Sequence, residues 1–235
     1  MKRFALGLPL LFFVAIGPSL GQGEKKILSH SSDLLPLKVG NRWIYQGIDP
    51  KEKVVVAVER MEPIKRLTTV AGAERTETFE SFILRITSGD KSLLEQVMIT
   101  DDGIYRYAAA GKEIKPPMKI LKLPIAKGEW TIDSKSENVA LKGDFVVEQT
   151  IVNLPGKGDV SAWLSRSRDF TVGDQKMEAS YWFVPNEGIV KQHVKIGKFE
   201  FRIALEEFRP SGAAAANAPP GLPTLPKLPP PLEIK

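Results

Sequence analysis

The 235-residue chain contains no cysteine and only two histidines, and these two scarcities remove several kinds of chemistry at once. Without cysteine there is no disulfide, no thiol nucleophile and no lipid-modified cysteine behind a leader. A zinc site needs three or four nitrogen, sulfur or carboxylate ligands, and two histidines leave too few nitrogen donors. We therefore predict no metal and no cofactor, and a fold stabilised by burial alone.

The residues that remain as candidates for catalysis are each better explained as surface residues. His30 lies in a polar N-terminal stretch, and His193 falls on the polar face of a predicted strand. Glu178 and Glu200, the sort of carboxylates a glycosidase would use, lie opposite aromatic faces. The chain has no Gly-x-Ser-x-Gly segment, and the 156–158 loop lacks the helix start that cradles a phosphate. We predict that the protein is not an enzyme, with an unrecognised hydrolase as an alternative.

No apolar run is as long as a membrane-spanning helix, which needs roughly 20 residues. The leading candidate, Phe4–Ile16, has 13 residues, follows the cationic Met1–Arg3 and precedes the small, turn-prone Gly17–Gly21. This order is typical of a secretory signal peptide. We predict a signal peptide over residues 1–21, cut after Gly21, and export to the periplasm or the extracellular space; the alternative is an uncleaved membrane anchor.

Charge of one sign does not dominate the chain. The formal net charge is +5, and loss of Lys2 and Arg3 with the leader leaves 31 basic and 28 acidic side chains, a net of +3. The two signs are interspersed, without the basic stripe that nucleic-acid binding requires. We predict no nucleic-acid partner and no membrane span after cleavage; the expected partner is an envelope protein or an apolar small molecule.

A helical period is not sustained for three turns anywhere after the leader, whereas alternation with a period of two recurs along residues 34–209. We predict an all-β fold for this segment: an antiparallel meander of about ten or more strands with little helix. Closure as a barrel or a two-layer sandwich would hide the strand edges. Residues 22–33 are polar and without period, and we predict a flexible mature N-terminus there.

The alternation also predicts which side chains share the interior. Trp43 and Tyr45 fall on one face of the first strand. The break in parity at Phe208 predicts a bulge at residues 206–207. Pro116 and Pro117 predict a connection rather than a strand, and separate strands are expected over 138–142 and 145–153. In the last third, two interior faces are expected: Met177, Ala179, Tyr181 and Phe183 on one strand, and Phe199, Phe201, Ile203 and Leu205 on another.

Some of the aromatic and aliphatic residues near the C-terminus are candidates for contacting a ligand or partner. Trp182 faces away from its aromatic neighbours, and Trp163 alternates with serines. One interpretation is that these tryptophans line a ligand-binding mouth or a partner surface. The other is that both faces of their strands are covered in a two-layer fold. The full set of candidate contacts is Trp163, Trp182, Phe183, Phe201 and Ile203.

The composition changes sharply at Pro210. Residues 210–235 are rich in alanine, proline and leucine, and proline recurs every three residues from Pro220 to Pro229 with leucine in step. Three residues per turn is the period of polyproline II. We predict a disordered or polyproline II tail that is either an extended spacer or a docking element for an aromatic groove. The candidate docking residues are Leu222, Pro223, Leu225, Pro226, Leu228 and Pro229.

Two short stretches at the ends of the β-domain carry a resemblance. They are LPLKVGNRWIY at residues 35–45 and YWFVPNEGIVK at residues 181–191. The first follows a Pro-Leu-x-x-Gly-Asn-x-Trp-x-Tyr pattern, and together they resemble a recurring type of uncharacterised bacterial exported β-rich protein. The resemblance implies a β-rich envelope or extracellular domain without an assigned activity. A looser similarity to curved-sheet lipoprotein carriers of the envelope implies lipid binding, although those carriers pack helices that this chain lacks.

Three functions are compatible with these features of the sequence. The first is an exported non-enzymatic β-domain that acts by binding or protein interaction. The second is a carrier of a lipid or other apolar ligand, which requires an enclosed cavity of about 300 Å³ or more. The third is an unrecognised hydrolase, which requires two carboxylates, or His193 and a carboxylate, converging in a cleft.

The leader makes the first testable prediction. When the full chain is expressed in a bacterium, the exported product is expected to begin at Gln22, because Ser19 and Gly21 are small enough for the signal-peptidase pockets. Intact mass spectrometry of the periplasmic fraction measures this directly. Recovery of the full-length mass from the membrane fraction would instead indicate an uncleaved anchor.

Overall fold

The computed structural model of the chain describes residues 31–48, 52–70 and 73–212. One turn of helix, α1 (Ser31–Leu34), comes first, so the last residues of the segment predicted to be flexible are helical. The predicted signal peptide and the tail beyond Gly212 lie outside the described residues. Thirteen strands follow: β1 Arg42–Gly47, β2 Lys53–Met61, β3 Ile64–Val70, β4 Ala73–Ser88, β5 Lys91–Thr100, β6 Gly103–Ala109, β7 Lys112–Lys122, β8 Gly128–Ser136, β9 Val139–Leu154, β10 Gly158–Val172, β11 Gln175–Val184, β12 Gly188–Ile196 and β13 Phe199–Arg209.

The strands form one antiparallel sheet that closes on itself. From β4 to β13 each strand pairs with the next in the chain, β13 pairs with β1, and β1 pairs with β2. The barrel closes because β2 pairs with the second half of β4, Phe82–Ser88. The first half of β4 pairs with β3 as a hairpin outside the ring, which leaves twelve strands in the barrel. The predicted antiparallel all-β fold is confirmed, and the closure is a barrel.

One end of the barrel, which we call the closed end, is covered by the β9–β10 hairpin. This hairpin extends past both neighbours, because pairing with β8 stops at Val147 and pairing with β11 stops at Trp163. Beyond those points the buried face changes: Phe145 and Val147 are buried on one face of β9, and Val152 and Leu154 on the other. Such a change of face is what a hairpin needs in order to fold over a barrel end.

Contacts at the hairpin tip show where it folds. Strand β9 contacts β13, although the two are not neighbours in the sheet. At the tip, Lys157 Nζ lies 2.6 Å from Glu187 Oε2 in the turn between β11 and β12. Helix α1 reaches the same turn, where Asn186 N donates to the Asp33 carbonyl. The closed end is therefore sealed by the hairpin and by the first residues of the domain.

The segment 35–45 begins the barrel and fastens it at the closed end. Asn41 is buried, and its side chain donates to the Pro36 carbonyl and accepts from Ser211 N, both at 2.6 Å. On β1, Trp43 Nε1 donates to the Glu187 carbonyl at 2.6 Å, and Tyr45 Oη donates to the Ile189 carbonyl at 2.7 Å. We call this set of bonds from β1 to residues 187–189 the clasp. The two stretches that carry the family resemblance are therefore in direct contact.

Aromatic side chains fill one half of the interior. Phe145 and Phe170 are fully buried with ring centroids 5.5 Å apart, and Trp130 stacks on Phe145 at 5.8 Å. Tyr181 lies on the other side of Phe145, at 6.5 Å. Strands β8 to β11 supply this cluster, which fills their side of the barrel.

Several predictions about individual residues need correction. Pro116 and Pro117 lie within β7, at positions that pair with neither β6 nor β8, so the missing N–H groups cost no ladder bond. Residues 139–154 form one strand because Gly143 lets β9 continue beneath a bulge in β10. Phe199 is 61% exposed at the end of β13 and is not part of the core.

Other local predictions are confirmed. Trp43 and Tyr45 share a buried face, as do Met177, Ala179, Tyr181 and Phe183. The bulge predicted at residues 206–207 is present, since Ile44 pairs with Glu207 and Tyr45 with Leu205, which leaves Glu206 unpaired. No helix in the described ranges is long and apolar enough to cross a membrane.

Gly143 offers a test of the β9–β10 packing. Its φ is +142°, and a Cβ there would lie 2.5 Å from the Phe170 Cα and 2.7 Å from the Asp169 carbonyl oxygen. Gly143→Ala is expected to lower the free energy of unfolding by about 3 kcal/mol, because backbone strain and overpacking act together. Urea denaturation followed by tryptophan fluorescence measures it.

Gly156→Ala is the matched control, because Gly156 has a φ of +74° but no atom within 4 Å of the added Cβ. We expect a loss of about 1 kcal/mol from the strain alone. Equal losses of unfolding free energy in the two variants would show that the β10 bulge does not restrict the space at Gly143.

Candidate functional site: a cavity inside the barrel

The half of the barrel without the aromatic cluster holds a cavity of about 390 Å³. Twelve strands enclose more space than the eight of a barrel that side chains just fill, so an interior cavity is physically reasonable. The volume lies within the usual range for small-molecule sites. Most of the lining is aliphatic or aromatic, and the charged or amide side chains are Glu95, Arg106 and Gln192. The other lining residues are Leu35, Leu37, Trp43, Tyr45, Val54, Val56, Leu84, Ile86, Leu93, Val97, Ile120, Met177, Tyr181, Ile189, Val194, Ile196, Phe199, Phe201 and Ile203.

The cavity runs along the barrel from the closed end to an opening at the other end. Leu35, Trp43 and Ile189 line it at the closed end, where the clasp holds β1. Leu93 and Phe199 line it at the opposite end, beside the β4–β5 and β12–β13 turns, and they are 42% and 61% exposed. We call this opposite end the mouth, because lining residues that are this exposed connect the cavity with solvent.

A charged pair lies about halfway along the cavity wall. Arg106 Nε is 3.2 Å from Glu95 Oε2, across the β5–β6 pair, and both side chains are largely buried at 16% and 17% exposure. Burial lowers the pKa of the Arg106 guanidinium, but the Glu95 carboxylate and the Tyr181 hydroxyl outweigh that effect and raise this pKa above its ordinary value. The Arg106 guanidinium therefore keeps its positive charge beside the carboxylate, and the formal charges of the pair cancel.

Two more polar side chains face this pair from the opposite wall. Tyr181 on β11 and Gln192 on β12 line the cavity, and these strands stand across the ring from β5 and β6. The Tyr181 ring is buried, and its hydroxyl forms no hydrogen bond of acceptable geometry with the described residues. It is close enough to the Arg106 guanidinium to interact with it electrostatically and as a hydrogen-bond partner of poor geometry. An unsatisfied buried hydroxyl is costly, and a bound molecule could satisfy it.

The arrangement is suited to binding. Its polar groups supply hydrogen-bond donors and acceptors on two facing walls of an otherwise apolar space, which is the arrangement that orients a small molecule in a pocket. Glu95 is the carboxylate among the described lining residues, and Arg106 holds it. In the described part of the chain, no three potential metal ligands come together.

The comparisons with known proteins add little to the geometry. No protein-family model matches the chain, and no curated protein matches it. A solved structure similar to it is a predicted exported protein with a YmcC-like fold from Bacteroides fragilis, 12% identical, covering 75% of this chain and 99% of its own, with a TM-score of 0.38. Another is a predicted lipoprotein from Parabacteroides distasonis, 10% identical, covering 74% and 97%, with a TM-score of 0.38. Similarity this low transfers no function.

The structure places the candidate contact residues from the sequence in different environments. Phe201 and Ile203 line the cavity, whereas Phe183 is fully buried in the core. Trp182 points outward, with Lys191 Nζ 5.2 Å from its ring centroid. Trp163 is half-buried against the core where the β9–β10 hairpin leaves the barrel. The candidate docking residues of the tail, 222–229, lie outside the described residues.

The polar residues of the cavity were missed at the sequence level, although a signal exists. Glu95 lies between Leu93 and Val97 at the same two-residue spacing, so it shares their inward face. On the next strand, Arg106 lies two residues after the buried Ile104 and shares its face. The Asp101–Gly103 turn fixes the hairpin register and places Val97 opposite Arg106. Opposite charges at inward positions of one hairpin predict a buried ion pair.

His193 lies outside the cavity. Its Nε2 is 3.0 Å from Glu200 Oε1, and Arg202 Nε is 3.1 Å from the same oxygen. All three side chains are on the outer face of β12 and β13, because the neighbouring residues Gln192 and Val194 on β12 face the cavity. His193 and Glu200, which were candidates for a hydrolase in the sequence, therefore meet on the outer surface of the barrel.

Removing one member of the ion pair tests how strongly it is coupled. Arg106→Met leaves Glu95 charged in an apolar wall, and we expect the free energy of unfolding to fall by about 3 kcal/mol. The double variant Glu95→Met/Arg106→Met is expected to recover most of that loss, because two apolar side chains of similar length replace the pair. Urea denaturation of both variants measures the difference. An Arg106→Met protein as stable as the parent would mean that water, not Arg106, compensates the Glu95 charge.

Proposed function

We propose that this is an exported, non-enzymatic binding protein that carries a small apolar molecule inside its barrel. The observation that supports this best is the cavity of about 390 Å³, lined mainly by aliphatic and aromatic side chains and open at the mouth. Of the three functions left by the sequence, a carrier is the one that requires such a space.

The chemistry of the lining favours carriage over reaction. The Glu95 carboxylate is engaged by Arg106, and His193 is on the outer face. A soluble apolar molecule would bury its surface against residues such as Val54, Phe201 and Ile203, which supplies about 25 cal/mol per Å² removed from water. Export of the carrier rests on the predicted leader.

Binding of an uncharged apolar fluorophore tests the proposal. N-phenyl-1-naphthylamine is expected to brighten on mixing with the full chain. Ile203→Trp places a larger side chain in the cavity and should weaken probe binding at least tenfold, and Val54→Phe should do the same from β2. Thermal unfolding confirms that each variant is folded.

Ile151→Trp is the matched control, because Ile151 is 71% exposed on the β9–β10 hairpin, away from the cavity. This variant should bind the probe as the parent does. An absence of probe binding by the parent, or equal binding by folded Ile203→Trp and Ile151→Trp proteins, would contradict a ligand site inside the barrel.

A further inference from the structure

The polar groups across the middle of the cavity define what kind of ligand it accepts. Glu95 and Arg106 on one wall and Tyr181 and Gln192 on the other form a polar band between the aliphatic half of the barrel and its aromatic half. A purely hydrocarbon ligand would leave the hydrogen-bonding groups of this band unsatisfied, which is unfavourable for a buried hydroxyl.

The band has donors and acceptors but no net charge. Arg106 uses Nε for Glu95, which leaves its terminal nitrogens as donors. Glu95 uses Oε2, which leaves Oε1 as an acceptor. The Tyr181 hydroxyl is near Arg106 but has no hydrogen bond of acceptable geometry, and it can either donate or accept.

A charged head group would be poorly accommodated here. A carboxylate drawn to Arg106 would come close to Glu95, and an ammonium drawn to Glu95 would come close to Arg106. Between walls that are mainly apolar, each would lose hydration for an attraction that is largely cancelled by the neighbouring like charge. A hydroxyl, ester or amide head loses less hydration and satisfies both kinds of partner.

We propose that the ligand is a single-chain amphiphile with an uncharged hydrogen-bonding head, which rests on Glu95, Arg106 and Tyr181 while its hydrocarbon chain lies along the apolar wall. This inference rests on the proposed function, and it names the ligand class for the same site. Aliphatic and aromatic residues on β1, β2, β4 and β13 line the path of the chain.

Displacement of N-phenyl-1-naphthylamine by four dodecyl compounds tests the head group, each below its critical micelle concentration. They are 1-dodecanoylglycerol, dodecanamide, dodecanoate and dodecylammonium. The two uncharged heads are expected to displace the probe at concentrations at least tenfold lower than the two charged ones. Equal or better displacement by dodecanoate or dodecylammonium would overturn the inference while leaving an apolar carrier in place. Failure of the probe itself to bind would instead remove the proposed function.

Charge variants sharpen the same experiment. Glu95→Gln keeps the shape of the wall and leaves Arg106 uncompensated, so dodecanoate should gain about tenfold. Arg106→Gln should favour dodecylammonium in the same way. The double variant Glu95→Gln/Arg106→Gln is again neutral and keeps the preference for uncharged heads, which covers the case in which a single variant does not fold.

Glu148→Gln is the matched control on the outer surface, where Arg166 Nε is 3.1 Å from Glu148 Oε1 in another cross-strand pair. It makes the same change of charge outside the cavity and should leave all four displacement curves unchanged. If Glu148→Gln shifts dodecanoate binding as much as Glu95→Gln does, the selectivity reflects overall charge and the polar band has no part in it.

Discussion

The clasp between β1 and residues 187–189 is the contact on which the barrel depends. Strand β1 joins the two ends of the chain, since it pairs with β13 on one side and β2 on the other. Pairing of this kind brings together residues separated by most of the chain, and its loop-closure entropy is unfavourable. Trp43 and Tyr45 offset that cost with donors to two carbonyls beyond the neighbouring strand. Burial raises the pKa of the Tyr45 hydroxyl, so this donor keeps its proton.

The clasp also determines the shape of the cavity floor. Trp43 and Tyr45 line the cavity and bind residues 187–189 with the same side chains. Gly188 is required at this point, because a Cβ would lie 3.1 Å from both Leu35 and Trp43 Nε1. A bulge at Val190 then allows both Ile189 and Gln192 to face inward. The same contacts therefore close the barrel and shape one end of the cavity.

Local features of the fold could be predicted from the sequence, and long-range ones could not. Alternation placed Trp43 and Tyr45 on an interior face, because side chains of a strand alternate whatever the strand pairs with. Closure of the barrel could not be predicted in this way. Strand β2 pairs with β4 and not with β3, the next strand in the chain, and the alternation of side chains does not specify which strands pair. Phe199 looked like a core residue because the alternation carries no information about where the barrel ends. Glu95 and Arg106 were missed because each charge is unremarkable until the hairpin register brings them together.

The position of these residues bears on what the family resemblance can mean. The two stretches that carry it, 35–45 and 181–191, supply the clasp, the turn and the aromatic interior face, which are requirements of the barrel. Glu95 and Arg106 lie between them, in the part of the chain that the resemblance does not reach. Closure of the barrel is therefore encoded at the two ends of the domain, whereas the polar band combines Glu95 and Arg106 from between them with Tyr181 from the second stretch.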